Sequence, residues 1–326
     1  MRIAVFGAGA VGGYFGGRLA VSGHDVAFIA RGTTLAALRE RGLIVESVNG
    51  DFTVHPAQAT DDPSAIGHVD AVIVAVKAWQ VPDAALAMPP LVGAETVVVP
   101  LENGVEAAGH LAGVLGRRAV AGGVCHIVAF QVAPAHIRHA GLEPRIAFGE
   151  LDRRPSARLE RLRGAFEGAS VEAMVAPDIT VAMWEKFLFI ASLSGLGAVT
   201  RVPAGVVRSL PETRALAVRA LDEIAAVARA HGVALPPDAV ERTLAFIDAL
   251  PYEATASMQR DIMEGRPSEL EAQNGAVVRL GAAAGVPTPV AAFVYAALLP
   301  QERAARRRVL AAEHGGDGLA PDPAPE

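Results

Sequence analysis

Of the 29 basic residues in this chain only two are lysine, Lys77 and Lys186; the other 27 are arginine. An ammonium can lose its proton within reach of neutral pH and a guanidinium cannot. A chain that otherwise uses arginine therefore marks its lysines as candidates for proton chemistry. Codon usage is the competing explanation for either lysine alone. Lys186 lies in Trp184-Glu185-Lys186-Phe187-Leu188-Phe189-Ile190, an otherwise apolar helical stretch. Enclosed there, its charged form would be disfavoured by desolvation, which suits a proton donor to a developing alkoxide. A lysine snorkelling from a helix start would have the same neighbours.

A second group of residues is suited to phosphate. Gly7, Gly9 and Gly12 form G-x-G-x-x-G directly after a short apolar run and at the start of a helical pattern. The first glycine permits the turn, the second admits a pyrophosphate close to the backbone, and the third packs helix on strand. The competing reading is a glycine-rich turn that binds nothing. The next apolar run ends Ile29-Ala30-Arg31-Gly32, with no carboxylate to hold a ribose 2'-hydroxyl. Arg31 can pair with a 2'-phosphate, which favours NADP(H) over NAD, unless it is one more surface arginine. Lys77 ends the run Ala71 to Val76 and should emerge at the carboxyl edge of a sheet, where ligands bind. Asn103-Gly104 follows the run Thr96 to Pro100 and would reach the same edge, although on its own Asn103 reads as a turn residue.

The remaining polar cluster is Ser257-Met258-Gln259-Arg260-Asp261, then Gly265-Arg266-Pro267-Ser268-Glu269-Leu270-Glu271. Ser268 and Glu271 have capping-box spacing, which would occupy Glu271 and leave Glu269 to face a site as a carboxylate partner or to favour the helix dipole. Asn274-Gly275 inside the following helix breaks local rules and predicts close packing or a polar contact.

The elements that must carry these residues fall into two textures. β-branched runs at Ile3 to Phe6, Val26 to Ala30, Ala71 to Val76, Thr96 to Pro100 and Val171 to Val175 alternate with helical spacing at Val11 to Val21, Val81 to Met88 and Ser156 to Phe166. That alternation predicts a parallel sheet covered on both faces. Beyond Pro177 the pattern is helical, at Ile179 to Ala198, Pro211 to Ala230, Asp238 to Leu250 and Ser268 to Ala284. The expected division is an α/β Rossmann-type domain over 1–176, an all-helical domain over 177–312 and a disordered tail over 313–326. The long apolar stretch Pro287 to Leu299 leaves room for a homodimer through the helical half.

Composition narrows the function classes. Across 326 residues, 52% hydrophobic and 20% charged content is that of a folded globular chain. A net charge of -6 argues against nucleic acid as a partner, and the short Arg306-Arg307-Arg308 run reads as a solvated helix end. The single cysteine, Cys125, excludes an internal disulfide and cysteine-based metal sites, so no metal is expected and a reducing, cytoplasmic setting is. Six glycines between Gly7 and Gly17 are incompatible with the apolar helix of a signal peptide, and Phe187 to Val199 is too short to span a bilayer; no membrane association is expected.

Taken in order, Gly7-Ala8-Gly9-Ala10-Val11-Gly12, Val76-Lys77-Ala78-Trp79-Gln80, Glu102-Asn103-Gly104, Trp184-Glu185-Lys186-Phe187, Ser257-Met258 through Asp261 to Gly265-Arg266 and Glu269, and Asn274-Gly275 resemble the ketopantoate reductases (2-dehydropantoate 2-reductases) over nearly the whole chain. The resemblance implies NADPH-dependent reduction of 2-dehydropantoate to (R)-pantoate, toward pantothenate and coenzyme A, in a cleft between a Rossmann domain and a helical domain. It implies that Lys186 is the proton donor and that Glu269 orients substrate and cofactor. Lys77 and Asn103 would contact the cofactor, Asn103 also the substrate, and Ser257 would bind the substrate carboxylate. Four and eight residues after the lysine the family commonly has asparagines that touch substrate. Here those positions hold Ile190, which offers no amide, and Ser194, so a different 2-oxo acid is the alternative substrate. An NADP(H)-sensing protein without catalysis is a further alternative, against which stand Lys186 and Glu269.

Overall fold

A computed structural model describes residues 1–313, which form two compact units that part at Lys186/Phe187. The expected tail lies outside the described residues except for Glu313, which ends the last helix.

In the first unit the strands are β1 (Arg2–Phe6), β2 (Asp25–Ile29), β3 (Leu43–Ser47), β4 (Phe52–Val54), β5 (Gln58–Thr60), β6 (Val69–Val74), β7 (Val92–Pro100), β8 (Ala121–His126), β9 (Ala129–Ala133), β10 (His136–His139), β11 (Arg145–Glu150) and β12 (Glu172–Val175). The helices are α1 (Ala10–Val21), α2 (Gly32–Arg41), α3 (Val81–Ala87), α4 (Ala107–Leu115), α5 (Ala157–Gly168) and the start of α6 (Ile179–Thr200). Five strands pair in parallel in the order β5-β2-β1-β6-β7. The near-continuous apolar runs of β1, β2, β6 and β7 follow from burial on both faces, whereas the edge strand β5, Gln-Ala-Thr, carries no such run and the expected run Val171 to Val175 falls in another sheet as β12. Ile3, Val5, Phe28, Ile73 and Val99 face α1 and α5 through Phe15, Leu159, Leu162 and Phe166. Ala4, Phe6, Val72, Val74 and Val98 face α3 and α4 through Val81, Ala85, Met88 and Leu111. Ser156, at the expected start of α5, caps that helix by accepting from Leu159 N–H.

Two smaller sheets accompany the parallel one, β4-β3-β10-β9 and β12-β11-β8, the latter joined to β7 by a bridge between Val98 and Val120; apart from β12 their strands are not legible as β-branched runs. The first lies against α1 and explains glycines outside the phosphate motif. A Cβ on Gly16 would stand 2.7 Å from Phe28 and Val5 of the main sheet, and one on Gly17 would stand 2.8 Å from Phe52 and 2.9 Å from Leu43 of the small one. Helix α1 is therefore clamped between two sheets, and only hydrogen fits at these contacts.

The second unit continues α6 and adds α7 (Ala204–Ser209), α8 (Pro211–Ala230), α9 (Ala239–Ala249), α10 (Ser257–Met263), α11 (Ala276–Ala284) and α12 (Pro289–Glu313). Leu196, Val207, Ala220, Met258, Ile262, Leu270, Val294 and Leu298 form its core. Glu223 of α8 accepts from the Val290 and Ala291 N–H groups and so satisfies the start of α12. By length and composition α6 is the one described helix apolar enough to cross a membrane, and 61% of its most apolar window is buried in the protein.

Three expectations are corrected here. Ser268 does not form a capping box with Glu271: its N–H and hydroxyl both donate to Glu302 of α12, at 2.9 and 2.6 Å, while Glu271 pairs with Arg279 and accepts from Tyr295. A buried carboxylate that receives two donors and the Arg306 guanidinium outcompetes a local cap. Arg306 and Arg308 are not merely solvated, because they donate to the carbonyls of Ser268 and Gly265 and fix that loop. The helix expected from Ser268 begins instead as a π-helical turn over Glu271–Gly275. The first turns of α6 pack on β8, where Ile179 and Met183 join Val124, and so belong with the first unit.

Candidate active site

The first unit gathers its candidate residues at the carboxyl ends of adjacent strands. β1 ends at Phe6, and Gly7 turns the chain with φ +100° while its N–H donates to Ile29 O. A Cβ on Gly12 would lie 2.0 Å from Gly7 O, so the turn closes tightly on itself. Gly9 differs. A Cβ there would meet nothing nearer than Gln131 Oε1 at 3.9 Å, and the start of α1 has no side-chain cap. Uncapped N–H groups facing open space beside Gly9 fit a dinucleotide pyrophosphate, with Ala8, Ala10 and Val11 as the intervening backbone.

Arg31 follows β2 directly, is exposed, and is the residue before α2, whose first turn (Gly32, Thr33, Thr34) carries no acidic group. Cation and helix start together suit a phosphate at the adenosine end of a dinucleotide. Gln131, on β9, went unnoticed in the sequence. It lies by Gly9 and donates to Thr34 Oγ1 at 3.3 Å, linking the glycine loop to the start of α2. Lys77 is exposed just past β6, with its N–H donating to Gln80 Oε1 and Nζ 5.8 Å from the Trp79 ring centroid. Asn103 is half-buried in the loop after β7, ahead of Gly104 at φ +143°. Lys186 is half-buried rather than enclosed.

His126, also unmarked in the sequence, is the last residue of β8. It is the one exposed residue of that strand, with protein gathered around one side of its ring. Loss of water around the ring, then the positive charges of Lys186 and Arg145, hold its pKa down to about 4. The imidazole is thus neutral at physiological pH, and the lysine that acts on it follows Met183, which packs on Val124 of β8, by three residues along α6.

The second unit holds the others. Ser257 is half-buried at the first position of α10, and Glu269 is buried between Ser268 and the π-turn. Ser194 is fully buried, its hydroxyl directed at Ile190 O and Gln273 Oε1 inside the unit, which commits it to packing. Asn274 meets the expectation of close contact: its Nδ2 donates to Ala191 O, and a Cβ on Gly195 would stand 2.8 Å from its amide. The amide groups Gln273 Nε2 and Asn274 Oδ1 are buried without a hydrogen-bond partner.

The model of the family described as ketopantoate reductase PanE/ApbA matches residues 3–153, and that of its C-terminal domain matches residues 178–302. An oxidoreductase of uncharacterized activity from Bacillus subtilis, YkpB, is 30% identical over 91% of this chain and 98% of its own. A crystal structure of 2-dehydropantoate 2-reductase from Geobacter metallireducens superposes with a TM-score of 0.86 at 32% identity, covering 92% of this chain and 99% of that one. D-mandelate dehydrogenase with NADH and anilino(oxo)acetate shares the fold, at TM-score 0.86 and 21% identity over 94% and 100% of the two chains. With both of its halves accounted for by matched models, this chain belongs to the ketopantoate reductase family of oxidoreductases.

Proposed function

We propose that the chain is an NADPH-dependent 2-oxo acid reductase, with 2-dehydropantoate as its substrate. The observation that supports this reading is an ammonium, Lys186, acting on His126 at the end of β8, in the same unit as the open glycine loop. The N–H groups at the start of α1 hold the pyrophosphate, Arg31 and the first turn of α2 hold the 2'-phosphate, and Lys77 and Asn103 fix the other end of the dinucleotide. When bound, the dinucleotide supplies a hydride to a carbonyl carbon. Lys186 donates a proton from Nζ to the carbonyl oxygen as negative charge develops there, leaving a neutral amine and a hydroxy acid. Glu269 orients the reactants and Ser257 receives the substrate carboxylate, on the family resemblance.

The deciding experiment follows NADPH oxidation with 2-dehydropantoate against branched and aromatic 2-oxo acids. We expect 2-dehydropantoate to give the highest kcat/KM, by about 10-fold or more. Ile190, half-buried four residues after Lys186, supports a second reading in which a more apolar acyl group is preferred; a clear win for such an acid would overturn the 2-dehydropantoate assignment. No reduction of any acid would overturn the reductase reading itself. Arg31→Ala should weaken NADPH by about 10- to 100-fold, the loss of a charge-assisted contact, and leave NADH within about 3-fold. Titration of both dinucleotides checks this, and equal weakening would remove the phosphate-recognition argument.

A further inference from the structure

The pairing of β8 with α6 runs in step. Alternate residues of β8, namely Gly122, Val124 and His126, share one strand face. On α6, Ile179, Met183 and Lys186 share one helix face, at i, i+4 and i+7. The two rows match from their first members. A Cβ on Gly122 would stand 2.8 Å from Ile179 and 3.0 Å from Met183 Sδ, so the glycine is what lets the helix approach. Val124 then packs with Ile179 and Met183 in one apolar cluster. The strand row advances by about 6.6 Å per step and the helix row by about 6 Å and then about 4.5 Å, so the third members fall within a few ångströms of register. The third members are His126 and Lys186.

We propose that His126 is a positioning residue for Lys186, holding the lysine ammonium at the carboxyl edge of the sheet by offering it an imidazole lone pair. This rests on the reductase reading for its catalytic meaning but not for the pairing itself. The charged groups that face the ring are Lys186 from α6 and Arg145, its register partner on β11. Glu172 of β12 lies 3.6 Å from the Arg145 guanidinium and draws that charge toward itself. Although the residue is exposed, partial loss of hydration and the two cations hold its pKa down to about 4, so one ring nitrogen carries a proton and the other an acceptor pair. A leucine could fill the same space, but it could not direct an ammonium. The imidazole therefore has a use that packing alone does not supply: it fixes which of the lysine's protons points away, toward a substrate oxygen.

Two measurements test the proposal on the full chain. In the first, the His126 ring signal is identified by its loss in His126→Asn and titrated by NMR in the native protein and in Lys186→Met. We expect a native midpoint near pH 4 and a rise of about one pH unit or more once the ammonium is gone. A midpoint that does not move would overturn the pairing, whatever the protein reduces. In the second, kcat and KM are measured with the best 2-oxo acid for His126→Leu and His126→Asn. We expect kcat to fall by about 10-fold or more in the leucine variant, with the KM for NADPH within about 2-fold. The asparagine variant, which keeps an acceptor, should recover to within about 3-fold of native. Full activity in His126→Leu, or equal losses in both variants, would overturn the positioning role. A native protein that reduces no 2-oxo acid would instead count against the reductase reading, and the titration would still decide whether the two side chains are paired.

Discussion

Lys186→Met should lower kcat by about 10²–10⁴-fold while the dissociation constant for NADPH stays within about 3-fold. Methionine keeps the length and apolar character of the lysine stem, so the half-buried site beside Trp184 and Phe187 loses a proton donor without opening a cavity. Lys186→Arg sharpens the test. It restores the positive charge but cannot release a proton near neutral pH, so activity should stay low if Lys186 gives up a proton and return if it only supplies charge. Steady-state kinetics with the best substrate, together with fluorescence titration of NADPH, separate these outcomes. Undiminished turnover in Lys186→Met would place the donor elsewhere.

The second large effect concerns two glycines that look alike in the motif and differ in space. Gly12→Ala puts a methyl group 2.0 Å from Gly7 O and 3.1 Å from both Ala75 Cβ and Val5 Cγ1. The nearest of these is a backbone atom that cannot swing aside, so the turn itself must move. We expect a stability loss of about 1–3 kcal/mol, seen as a Tm drop of roughly 4–10 °C, together with loss of measurable NADPH binding. Gly9→Ala meets no protein atom closer than 3.9 Å, and Gly9 has ordinary negative φ. The fold should therefore melt within about 2 °C of native, by the small cost of an unstrained surface change, while NADPH weakens by about 100-fold because the methyl occupies the pyrophosphate's approach. Calorimetry and titration on the two variants check the pair. A Gly9→Ala variant that binds NADPH normally would show that the open space is not where the cofactor sits.

The alternating half of the chain was readable because β1, β2, β6 and β7 are buried on both faces and so appear as unbroken apolar runs, and because the glycine motif has a fixed place between β1 and α1; the short polar edge strand β5 left no such trace. The helical half was readable from its period, with α8 spanning Pro211–Ala230 as expected. What escaped notice depends on partners far away in sequence. β8 reads Ala-Gly-Gly-Val-Cys-His, with two glycines that argue against a strand until the end of β7 on one side and α6 on the other are seen to require small residues. His126 could not be singled out, since its partner Lys186 is reached only through that packing. Ser268 offered a plausible local cap, but its true acceptor, Glu302, lies 34 residues later. Ser194 kept a polar group where the resemblance implied a substrate contact, and only the structure shows that hydroxyl turned toward Gln273.

The division between the two units falls at a peptide bond in the middle of α6, between Lys186 and Phe187, with neither glycine nor proline from Trp184 to Ile190. There is thus no linker at which the halves can be cut apart. A protease would find no extended segment at the junction, and expressing either half alone would leave a truncated helix with unsatisfied carbonyls or N–H groups at its raw end. The same holds for recombination in evolution. A nucleotide-binding half can be traded for another only by splicing through a helical turn in register, so the two halves of such a chain are inherited together and must change side by side.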